Sequence, residues 1–336
     1  MASGLSVLAR KLWRQLSFKV WPVDSNLQIN HPILSAQQIT QLAGELAHLA
    51  SKSSLNALNS EALKQGEQGS RFMGAGLEYE ESRPYQMGDE IRRINWRLMA
   101  KTGQAFTKLY QEERQENSFI LLDHRQTMRF GTRTRLKAEQ ALRAAGYYLW
   151  VAQQAGTPVE GVRLAETVTF TPTFEGRSSF EQMMVRFSQP CPPIVQDAFE
   201  PHINDVLLDL THRIQPGSSL VLISDFHDLN QKSVEILTAL KQLADIHAIW
   251  VQDPAERYLP NQPSVALQSM VDGQQYTLSS NQARAAYQAW SHAHFAKQQI
   301  QLKAAGVTVK TLLSDAPLRV LQQQGDVLIG QGEQHG

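Results

Sequence analysis

Two aspartates stand where the sequence predicts the ends of buried strands. Asp123 ends the apolar run FILL at residues 119–122, and Asp225 follows the run SLVLI at residues 219–223 after one serine. Neither run alternates with polar residues, so each is predicted to be a strand buried on both faces of a parallel sheet. Two carboxylates at adjoining strand ends, with hydroxyls from nearby loops, would suit a hard divalent cation such as Mg²⁺.

The elements that must position these acids alternate along the chain. Strands are predicted at 117–122, 219–223, 246–251 and 307–313, a short hairpin at 159–164 and 167–170, and helices at 133–156, 178–187, 202–214, 231–244, 281–305 and 316–324. This order predicts an α/β, doubly wound fold with a mostly parallel sheet. The chain of such a fold reverses direction beside its first strand, which would bring Asp123 and Asp225 side by side. The alternative is that each aspartate only caps the helix after it or binds a loop amide.

Histidines near both acids leave hydrolytic or metal-dependent chemistry open. His124 follows Asp123, and His227 and Asp228 follow Asp225 closely. A general acid or base would need such groups near the reacting atoms. The alternative is that these are solvated loop histidines. The sequence has no G-x-S-x-G elbow, which argues against a serine triad. It also has no phosphate-binding loop, so any ATP hydrolysis would belong to a partner.

Composition limits the class of protein. The 336 residues allow one α/β core with an accessory region, or two modest domains. Lys and Arg (32) balance Asp and Glu (32), so no overall field attracts nucleic acid, and no nucleic-acid partner is predicted. The single cysteine, Cys191, excludes a disulfide framework and favours a reducing, cytoplasmic location. No apolar run approaches the roughly 20 residues of a membrane span.

Residues 1–70 are predicted to be an N-terminal helical arm and linker. Residues 3–21 carry leucines at helical spacing, with three basic residues mostly off that stripe. Such a helix either contacts a membrane peripherally or docks on the protein's own core. Ser35 is predicted to cap a second helix with an apolar face. Residues rich in Gln, Ser, Asn and Gly follow up to residue 70, and the tail at 326–336 is predicted to fray.

Residues 71–116 are predicted to form a small accessory α+β segment. They are dense in aromatic residues and in charges of both signs. A turn is predicted at 87–89, Asp89 is predicted to cap a short helix near Glu90, and residues 105–111 are predicted to be a strand. The local charge balance favours an ion-pair network or a protein interface over phosphate binding. The candidate partner-binding residues are Arg83, Tyr85, Asp89, Arg92 and Trp96.

Around the two acids the chain resembles the metal-ion-dependent adhesion site of von Willebrand factor A-like domains. That site has a strand ending in D-x-S-x-S, a later threonine loop and a distant aspartate after another buried strand. Asp123, Thr127 and Asp225 match it, and Ser178 matches the threonine loop, whereas Arg125 stands at a ligand position. A guanidinium cannot bind Mg²⁺, so our hypothesis is that Arg125 replaces the cation and the site is degenerate. The alternative is that Arg125 points away and the site keeps its metal.

The preceding segment resembles the bacterial domain-of-unknown-function family fifty-eight (DUF 58). The shared signature is G-x-G-L-E-Y-x-x-x-R-x-Y-x-x-G-D-E-x-R-x-I-N-W, from Gly74 to Trp96. The resemblance implies that residues 117–325 form a von Willebrand factor A-like, Rossmann-like domain. It further implies a non-enzymatic adaptor that acts with a MoxR-type AAA+ ATPase in chaperone-like assembly or activation of other proteins. The alternative function is a metal-dependent hydrolase that uses Asp123, Asp225 and His227.

Overall fold

The structure is a computed structural model that describes residues 31–52, 73–111, 117–191, 200–259, 264–268 and 275–323. The chain divides into two compact units, and each is described by itself. The smaller unit is Ser54–Gln115, and the larger one combines Met1–Ser53 with Glu116–Gly336. The predicted amphipathic helix at 3–21, the linker up to residue 70 and the tail at 326–336 lie outside the described residues.

Helices and strands alternate through most of the described chain. The first elements are α1 (Ala36–Lys52), β1 (Met73–Pro84), α2 (Trp96–Thr102), β2 (Phe106–Gln111), β3 (Ser118–Asp123), α3 (Lys137–Ala155), β4 (Val159–Leu164) and β5 (Val168–Phe170). They are followed by α4 (Ser179–Phe187), α5 (Ile203–Thr211), β6 (Ser218–Ser224), α6 (Gln231–Lys241), β7 (Ala244–Gln252) and α7 (Pro254–Arg257). The last are β8 (Val265–Gln268), β9 (Gln275–Leu278), α8 (Asn281–Ala304), β10 (Thr308–Leu313) and α9 (Arg319–Gln323). No described helix combines the length and apolar character needed to cross a bilayer.

A six-stranded sheet organises the larger unit, in the order β10-β7-β6-β3-β4-β5. All neighbours pair in parallel except β5, which runs antiparallel to β4. The chain leaves β3 towards β4 and β5, then returns to form β6 on the other side of β3. The strand order therefore reverses between β3 and β6, where open α/β sheets bind their ligands. The predicted mixed α/β class and largely parallel sheet are confirmed.

Both faces of this sheet are covered by helices, which explains why its strands lack polar alternation. Successive strand residues point to opposite faces. Ile120 and Leu122 lie in a core with α1, α3, α4 and α9, whereas Phe119 and Leu121 lie in a second core with α5, α6 and α8. All four side chains are buried. Burial on both faces is what a strand in the centre of such a sheet requires.

The helix α1 is part of the larger unit and not of a separate arm. Its residues Leu42 and Leu46 are buried in the core that α3 also lines. Gly146 of α3 permits this close approach, because a Cβ there would lie 2.8 Å from Leu42 Cδ2. This helix, which was predicted as part of the arm, packs in the larger unit by burying its apolar face.

Several predicted helices are shorter in the structure. The helix predicted from 133 begins at Lys137, since the backbone amide and hydroxyl of Thr132 bind the side chain of Asp253 and hold the preceding residues in a loop. The helix predicted up to 244 ends at Lys241, because Ala244 already pairs in β7. Helix ends are set by such tertiary contacts, which periodicity does not contain.

The smaller unit is an antiparallel pair of β1 and β2 with α2 between them in sequence. Asn95 caps α2 by accepting from Leu98 N (3.2 Å). Asp89 was predicted to cap a short helix, but in the structure its side chain holds a turn instead. It accepts from Gln86 N (2.9 Å), from Arg83 Nη2 (2.6 Å) and from Thr107 Oγ1 (3.0 Å). These contacts hold the turn at residues 86–89 against Thr107 of β2.

Candidate functional site

The ends of β3 and β6 bring the two aspartates to one edge of the sheet. Oxygen and nitrogen ligand atoms of Asp123, Asp225 and His227 all lie within 4.8 Å of one another. Ser224, the last residue of β6, donates from Oγ to Asp123 Oδ2 (2.6 Å) and joins the two strand ends. The chain thus assembles this cluster from two distant segments at the point where the strand order reverses.

The carboxylate of Asp123 is fully hydrogen-bonded. Its Oδ1 accepts from the backbone N (3.0 Å) and Nε (3.1 Å) of Arg125. Its Oδ2 accepts from Arg125 Nη2 (2.7 Å) and from Ser224 Oγ. Asp123 is 0% exposed and Arg125 only 2%. Each carboxylate oxygen of Asp123 therefore accepts two hydrogen bonds, and these occupy the lone pairs with which it would bind a metal ion.

A second acid, Asp228, shares the guanidinium of Arg125. Arg125 Nη2 donates to Asp228 Oδ1 (3.1 Å), and Nη1 donates to the other oxygen and to Pro201 O (3.2 Å). Burial by itself would lower the pKa of Arg125, but Asp123 and Asp228 outweigh it and raise that pKa well above its ordinary value. Arg125 was expected to replace the cation of a site that includes Asp123 and Asp225; in the structure it pairs with Asp123 and Asp228.

Asp225 has a different cation, Lys137. Lys137 Nζ donates to Asp225 Oδ2 (2.9 Å) and to Glu256 Oε1 (2.6 Å), and this lysine is buried. Burial would raise the pKa of Asp225, but Lys137 and His227 hold it well below its ordinary range. Burial, reinforced by the charge of Asp225, raises the pKa of Glu256 despite Lys137.

Sequence reasoning missed Lys137, although a signal was present. Lys137 stands four residues before Ala141 and seven before Ala144, so all three share one face of α3. That face is buried. A lysine on a buried helix face must be paired with an acid, and this rule would have identified Lys137 as part of a charged cluster.

His227 is the exposed member of the cluster. Its Nδ1 lies 2.9 Å from Asp225 Oδ1 and 3.0 Å from Thr127 Oγ1. The partial burial of the ring would lower the pKa of His227, but the charge of Asp225 outweighs this effect and raises that pKa. The structure therefore brings Thr127, which matches the adhesion-site pattern, into the same cluster.

Ser178 lies at the opposite edge of the sheet, so its assignment to this site is wrong. Phe174 pairs with Val159, the first residue of β4, whereas Asp123 is the last residue of β3, its parallel neighbour. Ser178 directly precedes α4 and accepts from Gln182 Nε2 (2.8 Å). The chain crosses the sheet between residues 164 and 174, which a match by sequence order does not reveal.

The residues at this edge do not fit Mg²⁺. A magnesium ion needs free oxygen ligands in a nearly octahedral arrangement. Asp123 already accepts four hydrogen bonds, and the fixed charge of Arg125 lies between Asp123 and Asp228. Lys137 fills the corresponding role for Asp225. Two basic side chains thus supply the positive charge that a cation would bring.

An aromatic cavity of about 70 Å³ opens beside this cluster. Its polar and charged lining includes Thr127, Asp225, His227, Glu256 and Gln298. Its aromatic lining includes Phe130, Tyr287, Trp290 and Phe295. Three of these four rings, those of Tyr287, Trp290 and Phe295, come from α8. Periodicity could not reveal this arrangement, because nothing in the sequence links α8 to the end of β6.

In the smaller unit, the candidate partner-binding residues divide into two groups. Arg83 and Asp89 pair with each other, and Tyr85 is half-buried. Arg92 is exposed, and Trp96 is 60% exposed. Two further apolar residues, Met87 and Ile91, are also exposed and were not predicted. A group of exposed large apolar side chains is typical of an interaction surface.

Comparisons with known proteins identify the family. The family model described as "Protein of unknown function DUF58" matches residues 81–297, and the chain belongs to this family. Uncharacterized proteins Mb1516 of Mycobacterium bovis and Rv1480 of Mycobacterium tuberculosis are each 27% identical over 206 residues. The match covers 60% of this chain and 62% of the length of each of these relatives.

Two solved structures resemble part of the chain. One is described as the conserved hypothetical protein BatB from Bacteroides thetaiotaomicron, at 15% identity and a TM-score of 0.37. The other is described as an aerotolerance-related membrane protein from Bacteroides fragilis, at 12% identity and a TM-score of 0.36. Each match covers 57% of this chain, and 99% and 98% of the respective solved chains.

Proposed function

We propose that this chain is a non-enzymatic adaptor that acts in the cytoplasm with a MoxR-type AAA+ ATPase in the chaperone-like assembly or activation of other proteins. In this proposal the larger unit is a von Willebrand factor A-like domain with a degenerate metal site. The observation that carries it is Arg125, which stands at a ligand position of the adhesion-site pattern and is buried between Asp123 and Asp228. The association with the ATPase comes from the family resemblance.

The charged cluster favours binding over catalysis. A general acid or base must reach the substrate with a free lone pair or a transferable proton. Asp123 has neither, since it is buried and accepts four hydrogen bonds. Asp225 is likewise engaged by Lys137 and His227. Such a network keeps the loops after β3 and β6 in one arrangement, which suits a preformed binding surface.

The exposed residues Met87, Ile91, Arg92 and Trp96, called here the signature surface, are the proposed contact with the ATPase. Tryptophan and arginine are the side chains that most often dominate binding energy at interfaces. The ion pair of Arg83 with Asp89 supports this surface from within the unit, because Asp89 also binds Gln86 N and Thr107.

The test is co-purification of the full chain with the MoxR-type ATPase encoded nearest to its gene. The tagged chain is mixed with the ATPase in the presence of ATP, ADP or no nucleotide. Retention of the ATPase in at least one nucleotide state is expected. Its absence in all three states would contradict the proposal.

Variants of the signature surface make this test specific. Trp96→Ala and Arg92→Glu are expected to weaken retention at least tenfold, since truncation of one interface anchor typically costs about 2 kcal/mol or more. Val185→Ala is the matched control, because Val185 is an exposed apolar residue on α4 of the other unit. Equal losses in all three variants would refute the assignment of the surface.

The alternative is a metal-dependent hydrolase that uses Asp123, Asp225 and His227. The observation that favours it is the close approach of their ligand atoms, within 4.8 Å. A cation would have to displace Arg125 and Lys137 to bind there. Calorimetric titration with Mg²⁺ and Mn²⁺ separates the two proposals: binding heat that Asp225→Ala abolishes would support the hydrolase, and no heat is expected for the adaptor.

A further inference from the structure

Basic side chains continue the signature surface along α2. Arg97 and Lys101 are exposed, as is Arg92 of the surface itself. Arg97 and Lys101 are four residues apart in α2, so they lie on one face of this helix, and Trp96 is its first residue. Exposed apolar and exposed basic side chains are therefore interleaved over one short stretch, residues 87–101.

The three bases differ from the other charged groups of this stretch because they are not compensated. Asp89 is paired with Arg83. Arg92, Arg97 and Lys101 have no acidic partner in the part of the chain that the structure describes. Single exposed bases are ordinary, since water solvates them. Three of them next to large exposed apolar side chains form a surface that is both apolar and positively charged.

Hydrogen bonds of one buried residue, Asn95, hold this surface in place. Its backbone N donates to Phe106 O (2.7 Å), and its Nδ2 donates to Ser82 Oγ (3.1 Å). Its Oδ1 accepts from Leu98 N (3.2 Å) in α2. Asn95 thus ties the start of α2 to both strands of the smaller unit. A surface that is already ordered loses less conformational entropy when it binds a partner.

The distribution of charge favours an acidic protein segment over other anions. Nucleic acids and anionic membranes carry negative charge over an extended surface. Acidic and basic residues nearly balance over residues 73–111, so the smaller unit as a whole offers such a surface little attraction. The positive charge is local, and a protein can match it locally with carboxylates around an apolar centre.

We propose that the signature surface, together with Arg97 and Lys101, binds an acidic segment of a partner protein that also carries apolar residues. The apolar side chains of this segment pack on Ile91 and Trp96, and its carboxylates pair with the surrounding bases. The inference rests on the proposed adaptor function for the identity of the partner, the MoxR-type ATPase. It adds the chemistry of the segment that the ATPase presents, and this chemistry can be tested without the ATPase.

The probe is the blocked acidic peptide acetyl-EELFEELE-amide, added to the ¹⁵N-labelled full chain. The chain has six tryptophans, and the indole N–H signal of Trp96 is identified by its absence in Trp96→Phe. A saturable shift of this signal is expected, with a dissociation constant on the order of 0.1–1 mM. Analogues in which glutamine or lysine replaces every glutamate of the peptide are expected to bind at least fivefold more weakly.

Paired variants locate the binding. The double variant Arg97→Glu with Lys101→Glu reverses two of the bases and is expected to weaken peptide binding at least tenfold. Arg186→Glu is the control, because Arg186 is an exposed base on α4 of the other unit. Unfolding midpoints of the variants are measured alongside, and the comparison uses a temperature at which all of them are folded.

The ATPase is examined in the same terms. Its retention by the unchanged chain is expected to fall as salt is raised from about 50 to about 300 mM, because salt screens exposed charges. The double variant is expected to reduce retention at low salt. Retention that neither salt nor the double variant changes refutes only the acidic segment. Peptide binding without retention of the ATPase refutes only the adaptor.

Three results with the peptide would overturn the inference: no saturable shift with the acidic peptide, equal binding of the glutamine analogue, or unchanged binding in the double variant. Co-sedimentation of the full chain with phosphatidylserine vesicles is measured as well. Vesicle binding that the double variant abolishes, without binding of the peptide, would also overturn the inference, since the surface would then contact a membrane.

Discussion

The substitution Arg125→Ser tests whether an arginine has taken the place of a metal ion. It removes the guanidinium and puts a hydroxyl at the ligand position of the adhesion-site pattern. Asp123 and Asp228 then lose their common cation, and Asp123 is 0% exposed. The side chain gives up its hydrogen bonds to both carboxylates and to Pro201 O.

The expected loss of stability follows from the burial of this pair. Removing one partner of a buried ion pair costs about 3–5 kcal/mol, because the remaining charge is left without compensation. For a unit of this size, 1 kcal/mol corresponds to roughly 2–4 °C in the unfolding midpoint, so a fall of roughly 6–20 °C is expected. Arg213→Ser is the control. Arg213 is half-exposed, contacts Glu160 at 3.2 Å and packs 4.0 Å from the ring centre of Phe170, so its loss is expected to cost at most about 2 kcal/mol.

Thermal unfolding of both variants and of the unchanged chain is followed with EDTA and with Mg²⁺. Arg125→Ser is expected to regain stability with Mg²⁺, by about 2.7 kcal/mol when the ion is at 100 times its dissociation constant. The unchanged chain and Arg213→Ser are expected to show no magnesium effect. A higher unfolding midpoint of the unchanged chain in Mg²⁺ would refute the reasoning. So would a loss of less than about 1 kcal/mol in the free energy of unfolding of Arg125→Ser with EDTA.

Three further predictions concern stability. Lys137→Met leaves two acids without their buried cation, so the free energy of unfolding is expected to fall by about 3–5 kcal/mol. Urea unfolding measures this change, and a fall below about 1 kcal/mol would contradict the pairing. Burial lowers the pKa of His124, so below about pH 6.5 this side chain binds a proton in the unfolded chain but stays neutral in the folded one. Stability then falls by up to about 1.4 kcal/mol per pH unit, a slope expected to disappear in His124→Gln. Gly161→Ala brings a Cβ to 2.6 Å from Phe187 Cζ and is expected to cost about 1–3 kcal/mol, whereas Gly44→Ala, in an open helix position, is expected to add about 0.5–1 kcal/mol.

The sequence was most informative where burial leaves a local pattern. The runs that became β3 and β6 have no polar alternation, and this alone identified central strands of a parallel sheet. The rule that a wound sheet reverses beside its first strand then made these strands neighbours. The position of Asp123 beside Asp225 was therefore predictable, since it depends on topology and not on side-chain detail.

The pairing of charges was decided only by the tertiary structure. Arg125 was recognised as an obstacle to a metal, but its second acid is Asp228, and Lys137 comes from the start of a helix behind the sheet. Ser178, chosen by order along the chain, lies at the opposite edge. The partner of a charged group depends on distances across the fold, to which residues far apart in sequence contribute.

The sequence by itself determined the fold class and the edge of the sheet where the acids meet, because both follow from periodicity and strand order. Only the tertiary structure decided that two basic side chains hold those acids and that α8 adds an aromatic cavity beside them. The physical reason is that periodicity reports which face of an element is buried. It carries no information on which other element covers that face.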